Sequence, residues 1–259
     1  MATSTPENPL PIFYNTLQPL SSSVHSNYKT RTADTAPWLS QAHAIPLTID
    51  EFVIAQRHFP IVFSAGEVPV PLALMGLNEN VNVFLDDEGK LRGETYVPAY
   101  IRRYPFMLAR LRPDAQELSL CFDDSTGLVG DFEEGNPLFT DGQASETTNG
   151  ILKFCEEFEL SAQRTNAFMN ELNEMDLLIE GEVSIQPSNS DQPFIYRGFK
   201  MVDEEKLREL RGDVLRKITQ NGILPLIYAH LFSLQLMRDI FALQVQQGKV
   251  PEVTELPTA

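Results

Sequence analysis

Apolar positions are densest between Phe59 and Phe106, where they form three short runs, Pro60–Ala65, Val70–Leu77 and Val81–Leu85, rich in Val, Ile, Leu and Phe. Gly66-Glu67 separates the first two and Asn78-Glu79-Asn80 the last two. Turn residues between apolar runs of this length predict three strands. Asp86-Asp87-Glu88-Gly89 then supplies a hairpin loop, with Gly89 able to take a positive φ. Beyond it the pattern changes to YVPAYIRRYPF, Tyr96 to Phe106. Pro98 suits the first turn of a helix and Pro105 ends that helix.

The flanking pattern is mixed. Thr48-Ile49-Asp50-Glu51 is a capping box, predicting a short helix to about Arg57 that buries Phe52 and Ala55. Glu117–Phe122 alternates as a strand, and Asp123–Thr140 reads as a Gly- and Asp-rich surface loop. In the second half Ile151, Cys155, Phe158, Ala162, Thr165, Met169 and Leu172 recur at helical spacing, with Phe154 and Phe168 widening the stripe. Leu177–Ile179, Glu182–Ile185 and Phe194–Val202 are β-like, with a polar loop at Pro187–Pro193. Asp203 caps a helix from Glu204 to about Gln220, and Asn221-Gly222 stops it. A last helix carries Pro225 in its first turn, runs to about Gln246, and has Ile227, His230, Leu234, Met237 and Phe241 on one face.

The fold class these elements define is α+β. A mostly antiparallel, curved sheet from residues 60–123 and 182–202 packs against three C-terminal-half helices near 148–175, 204–221 and 225–246. Residues 1–45 read as an extended N-terminal arm tacked down by Pro9–Tyr14 and Trp38-Leu39, residues 46–250 as a single domain, and residues 251–259 as a frayed tail.

Charge narrows the partners. Against 20 basic side chains stand 36 acidic ones, a net −16, so phosphate backbones and anionic lipid surfaces are repelled. The N-terminal stretch MATSTPENPLPIFYNTL has neither a basic nor an apolar region of a secretory signal. No apolar run reaches the ~18–20 residues of a membrane span, and the nearest, Ile223–Met237, contains His230, Ser233 and Gln235. The two cysteines, Cys121 and Cys155, fit buried thiols of a reduced, cytoplasmic protein.

Several runs resemble the SapC family of bacterial proteins. They are Phe59–Phe63, Leu74–Leu77, Asn82–Asp86, Tyr96–Phe106 (YVPAYIRRYPF), Leu120–Asp123, Gly198–Leu207 and Ile227–Leu234 (IYAHLFSL), in order over nearly the whole chain. Phe59 stands for a family Tyr and Phe122 for an Ile, Phe232 occupies a variable site, and the arm matches least; His25 is the counterpart the resemblance suggests for an early family histidine. The family name derives from a gene linked to surface-layer formation. Its members neighbour genes for TonB-dependent receptors, halogenase-like flavoproteins and cupin-like oxygenases. The resemblance therefore implies an accessory role in uptake or in modifying a peptide or receptor. A description of some members as peptide-transport permeases does not suit a chain read without a membrane span. The resemblance carries over no catalytic residues.

Arg102-Arg103, between Tyr100 and Tyr104 and close to Tyr96, is the most suggestive cluster. A guanidinium beside aromatic rings can bind a carboxylate or phosphate through its fork while stacking on a ring; it can equally pair with an acidic residue and hold the turn. Adjacent helical residues point about 100° apart, which predicts one structural Arg and one facing a functional surface. His230, on an apolar helix face, reads as a neutral core histidine or, alternatively, a ligand group. Asp203 and Glu204 are explained by capping. No histidine pair has metal spacing, and no C-x-x-C, G-x-G-x-x-G, Walker A or G-x-S-x-G occurs. The expected binding residues are Tyr96, Tyr100, Arg102, Arg103, Tyr104 and His230, with no catalytic residue, metal or cofactor. The leading reading is a non-catalytic cytoplasmic binding or accessory protein, partnered by a protein or peptide such as a halogenase-like flavoprotein or a receptor-linked peptide. The alternative is a cofactor-dependent enzyme or peptide modifier with a pocket near Arg102, Arg103 and His230; a surface-layer subunit would lack its export signal.

Overall fold

The computed structural model describes residues 10–33, 35–112, 117–186 and 193–250. The expected tail at 251–259 and nearly all of the Pro187–Pro193 loop lie outside them. The chain is α+β, with antiparallel sheets and its longer helices in the C-terminal half. Its contacts divide it into two compact units, Met1–Thr35 with Ala99–Leu160, and Ala36–Pro98 with Ser161–Ala259.

The second of these units is built on a five-stranded antiparallel sheet. The strand order is Leu178–Ile185, Phe194–Val202, Ile61–Ser64, Pro71–Leu74 and Ala44–Pro46. Ile61, Val62 and Phe63 are fully buried, as the continuous apolar run requires of a central strand. The two β-like segments at 177–185 are one strand, bulged between Gly181 and Val183. Its Gly181 lies under the Phe199 ring, where a Cβ would come within 2.1 Å of a ring carbon.

The third apolar run does not become a strand. Val81–Leu85 is irregular apart from a single bridge between Leu85 and Leu91. The cause is Asn82, buried at 2% exposure, whose amide donates to the Leu39 and Ala42 carbonyls and whose oxygen accepts from Phe84 N. Those bonds pin the backbone to a contour that a ladder could not follow. The hairpin loop forms as expected: Asp86 Oδ1 accepts from the Glu88 and Lys90 amides, and Gly89 has φ +79°.

The helices of this unit start on local chemistry. Glu51 Oε2 accepts from Thr48 N and Thr48 Oγ1, both at 2.9 Å, closing the capping box, and Phe52 and Ala55 are fully buried. Asp203 accepts from the Glu205 and Lys206 amides. The helix it caps is broken into Glu204–Arg208 and Gly212–Gln220. The break falls beside Gly212, the poorest helix former in the segment. Gly222 ends the second piece at φ +81°. The last helical segment is α-helical at Ile223–Ser233, 3₁₀ at Leu234–Leu236 and α-helical again at Met237–Gln246. By length and composition these 24 residues could cross a membrane, where the sequence shows a shorter apolar run. Its Ile227, His230, Ser233, Met237, Ile240, Phe241 and Gln244 are buried in the unit's own core.

The other unit holds the remaining sheets. Gln18–Pro19, Ser119–Phe122 and Phe106–Ala109 form one, and Val129–Gly130, Lys29–Thr30 and Asn136–Pro137 a second, while Phe139–Thr140 pairs with Gln143–Ala144. So the strands at 106–122 do not extend the five-stranded sheet, the 123–140 segment carries strands, and much of the expected arm is paired. Phe106, Leu108, Phe122, Val129, Leu138 and Cys155 make this unit's core. His25 packs edge-on against Phe122 and accepts from Ser21 N through Nδ1. The 29-residue helix Glu146–Glu174 gives its residues through Leu160 to this unit and the rest to the other. Ser145 starts it, accepting from Thr148 N.

Candidate functional site

In the unit of Ala99–Leu160, a cleft of about 400 Å³ opens between the YVPAYIRRYPF segment and the first turns of the long helix. The short helix Ala99–Arg103, stopped by Pro105, supplies Arg102 and Arg103, and Phe106 follows them. The long helix supplies Thr147, Gly150, Ile151, Phe154 and Cys155, which share one face because their spacing is three and four.

The two arginines differ sharply. Arg103 is buried, with Cζ 4.2 Å from the Phe158 ring centroid and 4.6 Å from that of Tyr100. Its Nη1 lies 3.5 Å from Glu159 Oε1, a long contact, and its Nε is buried with no hydrogen-bond partner. Arg102 is exposed, with Cζ 5.2 Å from the Phe154 centroid. Both side chains nevertheless line the same cleft, contrary to the expectation from their 100° separation. Long stems let adjacent arginines converge.

Aromatic rings frame Arg103. Tyr14 donates to the Phe106 carbonyl at 2.7 Å, and its ring meets Tyr104 edge-on at 5.1 Å. Tyr100 donates to the Ile12 carbonyl at 3.3 Å. Burial raises the Tyr14, Tyr100 and Tyr104 phenol pKa values, with Arg103 opposing the rise for the first two, so all three stay protonated at neutral pH. Burial also raises the Glu159 carboxyl, against the pull of Arg103.

The six expected binding residues thus separate. Tyr100, Arg102, Arg103 and Tyr104 cluster here, while Tyr96 and His230 belong to the other unit. There Tyr96 donates to Glu51 Oε1 at 3.0 Å. His230 is fully buried: Nδ1 donates to the Ile61 carbonyl at 2.7 Å, Nε2 accepts from Val202 N at 3.1 Å, and Phe63 stacks at 4.6 Å. Burial pulls its pKa down to about 4, so it is neutral at pH 7. It ties the last helix to two strands and does not line the cleft. Sequence reasoning missed Tyr14, Thr147, Gly150, Phe154 and Glu159 as neighbours of the arginines. The one available signal was Gly150, a turn before Phe154 on an otherwise well-filled stripe.

Among the described residues no group of three or more His, Cys, Asp or Glu is placed to hold a metal ion. Cys155 and Cys121 are buried free thiols, each pushed up to about 11 by burial. A disulfide-exchange reagent at pH 8 should therefore react with two thiols per chain after denaturation and with essentially none in the native protein. Fast native labelling of Cys155 would show that the cleft floor is open and its thiol activated.

An α+β chain with an arginine–aromatic cleft is the class these features define. The SapC family model matches residues 20–240, most of the chain, and the chain belongs to the SapC family. No curated protein and no solved structure matches it.

Proposed function

We propose that this SapC-family chain is a non-catalytic binding protein that acts in the cytoplasm on a protein or peptide partner. It serves as an accessory to a surface-layer, TonB-dependent uptake or peptide-modification system, the link to those systems coming from the family resemblance. The observation that carries the binding reading is the chemistry of the cleft: two guanidinium groups against Phe106, Phe154 and Ile151, beside a Cys155 thiol that stays protonated at neutral pH. Such walls hold an anion and exclude water; their neutral thiol and phenols are poorly matched to proton transfer near pH 7.

The test is capture from a native extract on the immobilised full-length chain, with mass spectrometry of what is retained. One protein or peptide should be enriched by the parent and reduced at least about tenfold by Arg102→Ala, the effect of losing one charge-assisted contact. Equal capture by both proteins, or chemical conversion of the retained molecule by the chain, would overturn the reading.

A further inference from the structure

Resting on that binding reading, we infer that the cleft recognises an organic carboxylate carried on an aromatic or branched apolar body, either a free acid or the C-terminal residue of a peptide. The charge balance selects a monoanion. Arg102 and Arg103 bring two positive charges to a chain with a net −16, and the ion pair recorded for Arg103 is the 3.5 Å contact with Glu159. One positive charge remains over at the cleft.

The buried guanidinium is held ready for an oxygen acceptor. Arg103 is clamped between Tyr100 and Phe158, its side chain is 6% exposed, and its Nε has no partner. A guanidinium fixed in plane by two rings suits the planar, two-oxygen geometry of a carboxylate better than a tetrahedral dianion. The opposite wall is the start of a 29-residue helix, whose N-terminal end carries positive partial charge, and Thr147 adds a hydroxyl there. Glu146 in that first turn and Glu159 offset part of this field, which again favours one negative charge over two.

The rest of the lining is apolar. Phe106, Ile151 and Phe154 face the same space, and about 400 Å³ falls in the range for small-molecule sites, enough for one aromatic acid or the last residue or two of a peptide. Gly150 keeps the wall open, since a Cβ there would meet no atom within 4 Å. A large side chain at this exposed helical position would enter the cleft without displacing the core.

The experiment is titration calorimetry on the full chain with N-acetyl-phenylalanine, its carboxamide, a pentapeptide ending in phenylalanine with a free or amidated C-terminus, and phenyl phosphate. The free carboxylates should bind, with each amide at least about tenfold weaker. Gly150→Trp should keep the parent's thermal midpoint and abolish carboxylate binding, and Arg102→Ala should weaken it. Tighter binding of the peptide than of the amino acid identifies a C-terminus as the ligand; the reverse identifies a free acid. Amide and acid binding alike, phenyl phosphate binding in preference, full binding by Gly150→Trp, or no probe binding at millimolar concentration would each overturn the inference. If the probes bind as expected while extract capture yields no partner, the ligand class stands and the accessory reading falls.

Discussion

His230→Ala is expected to destabilise the protein by about 3–5 kcal/mol near pH 7.5, and by much less near pH 4. At neutral pH the substitution strands the Ile61 carbonyl and the Val202 amide in the core, at roughly 1–3 kcal/mol each, and opens a cavity beside Phe63. The pH dependence follows from proton binding. The native imidazole titrates at about 4 and an unfolded one at about 6.5, so between those values the unfolded state binds more protons. This contribution is therefore fully present above about pH 6.5 and is lost as the pH falls towards 4. A shift of that size corresponds to roughly 3 kcal/mol. Urea unfolding of parent and variant at a series of pH values between 4 and 7.5 measures it as the change in their difference. A difference that stays constant across the series would refute the assignment of His230 as a buried neutral tie.

Gly76→Ala should cost at least about 3 kcal/mol, through sterics alone. A Cβ at Gly76 would stand 1.8 Å from the Val81 carbonyl oxygen and 2.8 Å from its carbon, both backbone atoms. Relief requires the 81–83 backbone to retreat. Val83 N is bonded to the Met75 carbonyl at 2.9 Å, and Asn82 is anchored to the Leu39 and Ala42 carbonyls, so retreat breaks buried hydrogen bonds. Gly150→Ala is the contrasting control: its Cβ meets nothing within 4 Å, and alanine in a helix gains about 0.5–1 kcal/mol over glycine. Denaturation midpoints for the two variants should move in opposite directions. A Gly76→Ala protein as stable as the parent would mean that residues 76–83 rearrange freely.

What was legible in the sequence follows the reach of the interactions. Thr48 with Glu51, Asp203 with the next amides, and Asn221-Gly222 act within four residues, so their patterns announced helix starts and stops. The stripe from Ile151 to Leu172 did the same for the long helix. Asn82 was opaque because its partners lie some forty residues away and outrank the strand preference of its neighbours. Strand grouping was opaque for the same reason: Gln18–Pro19 is too short to show a period, and only its pairing with Phe122 and Cys121 makes it a strand. At the site, the arginines and tyrosines of YVPAYIRRYPF stood out by local clustering. Their facing wall did not, because a ligand-lining stripe containing Ile151, Phe154 and Cys155 has the composition of a core stripe. His230 could be placed in the core by its neighbours, whereas its bonds to Ile61 and Val202 could only come from the assembled sheet.

The bulge at Gly181/Val183 sits on an outermost strand of the five-stranded sheet. An eight-residue edge offers a second copy a row of unpaired amides and carbonyls, the usual template for intermolecular sheet growth. The offset at Gly181 throws that row out of phase partway along, so an incoming strand can match one half of it but not both. Glu180 and Glu182 flank the offset and would face like charges on a copy of the same edge. At the opposite margin, Ala44–Pro46 is three residues long and ends in a proline with no amide hydrogen to donate. Each free margin of the sheet thus carries its own block against polymerisation, one by phase and charge and one by brevity.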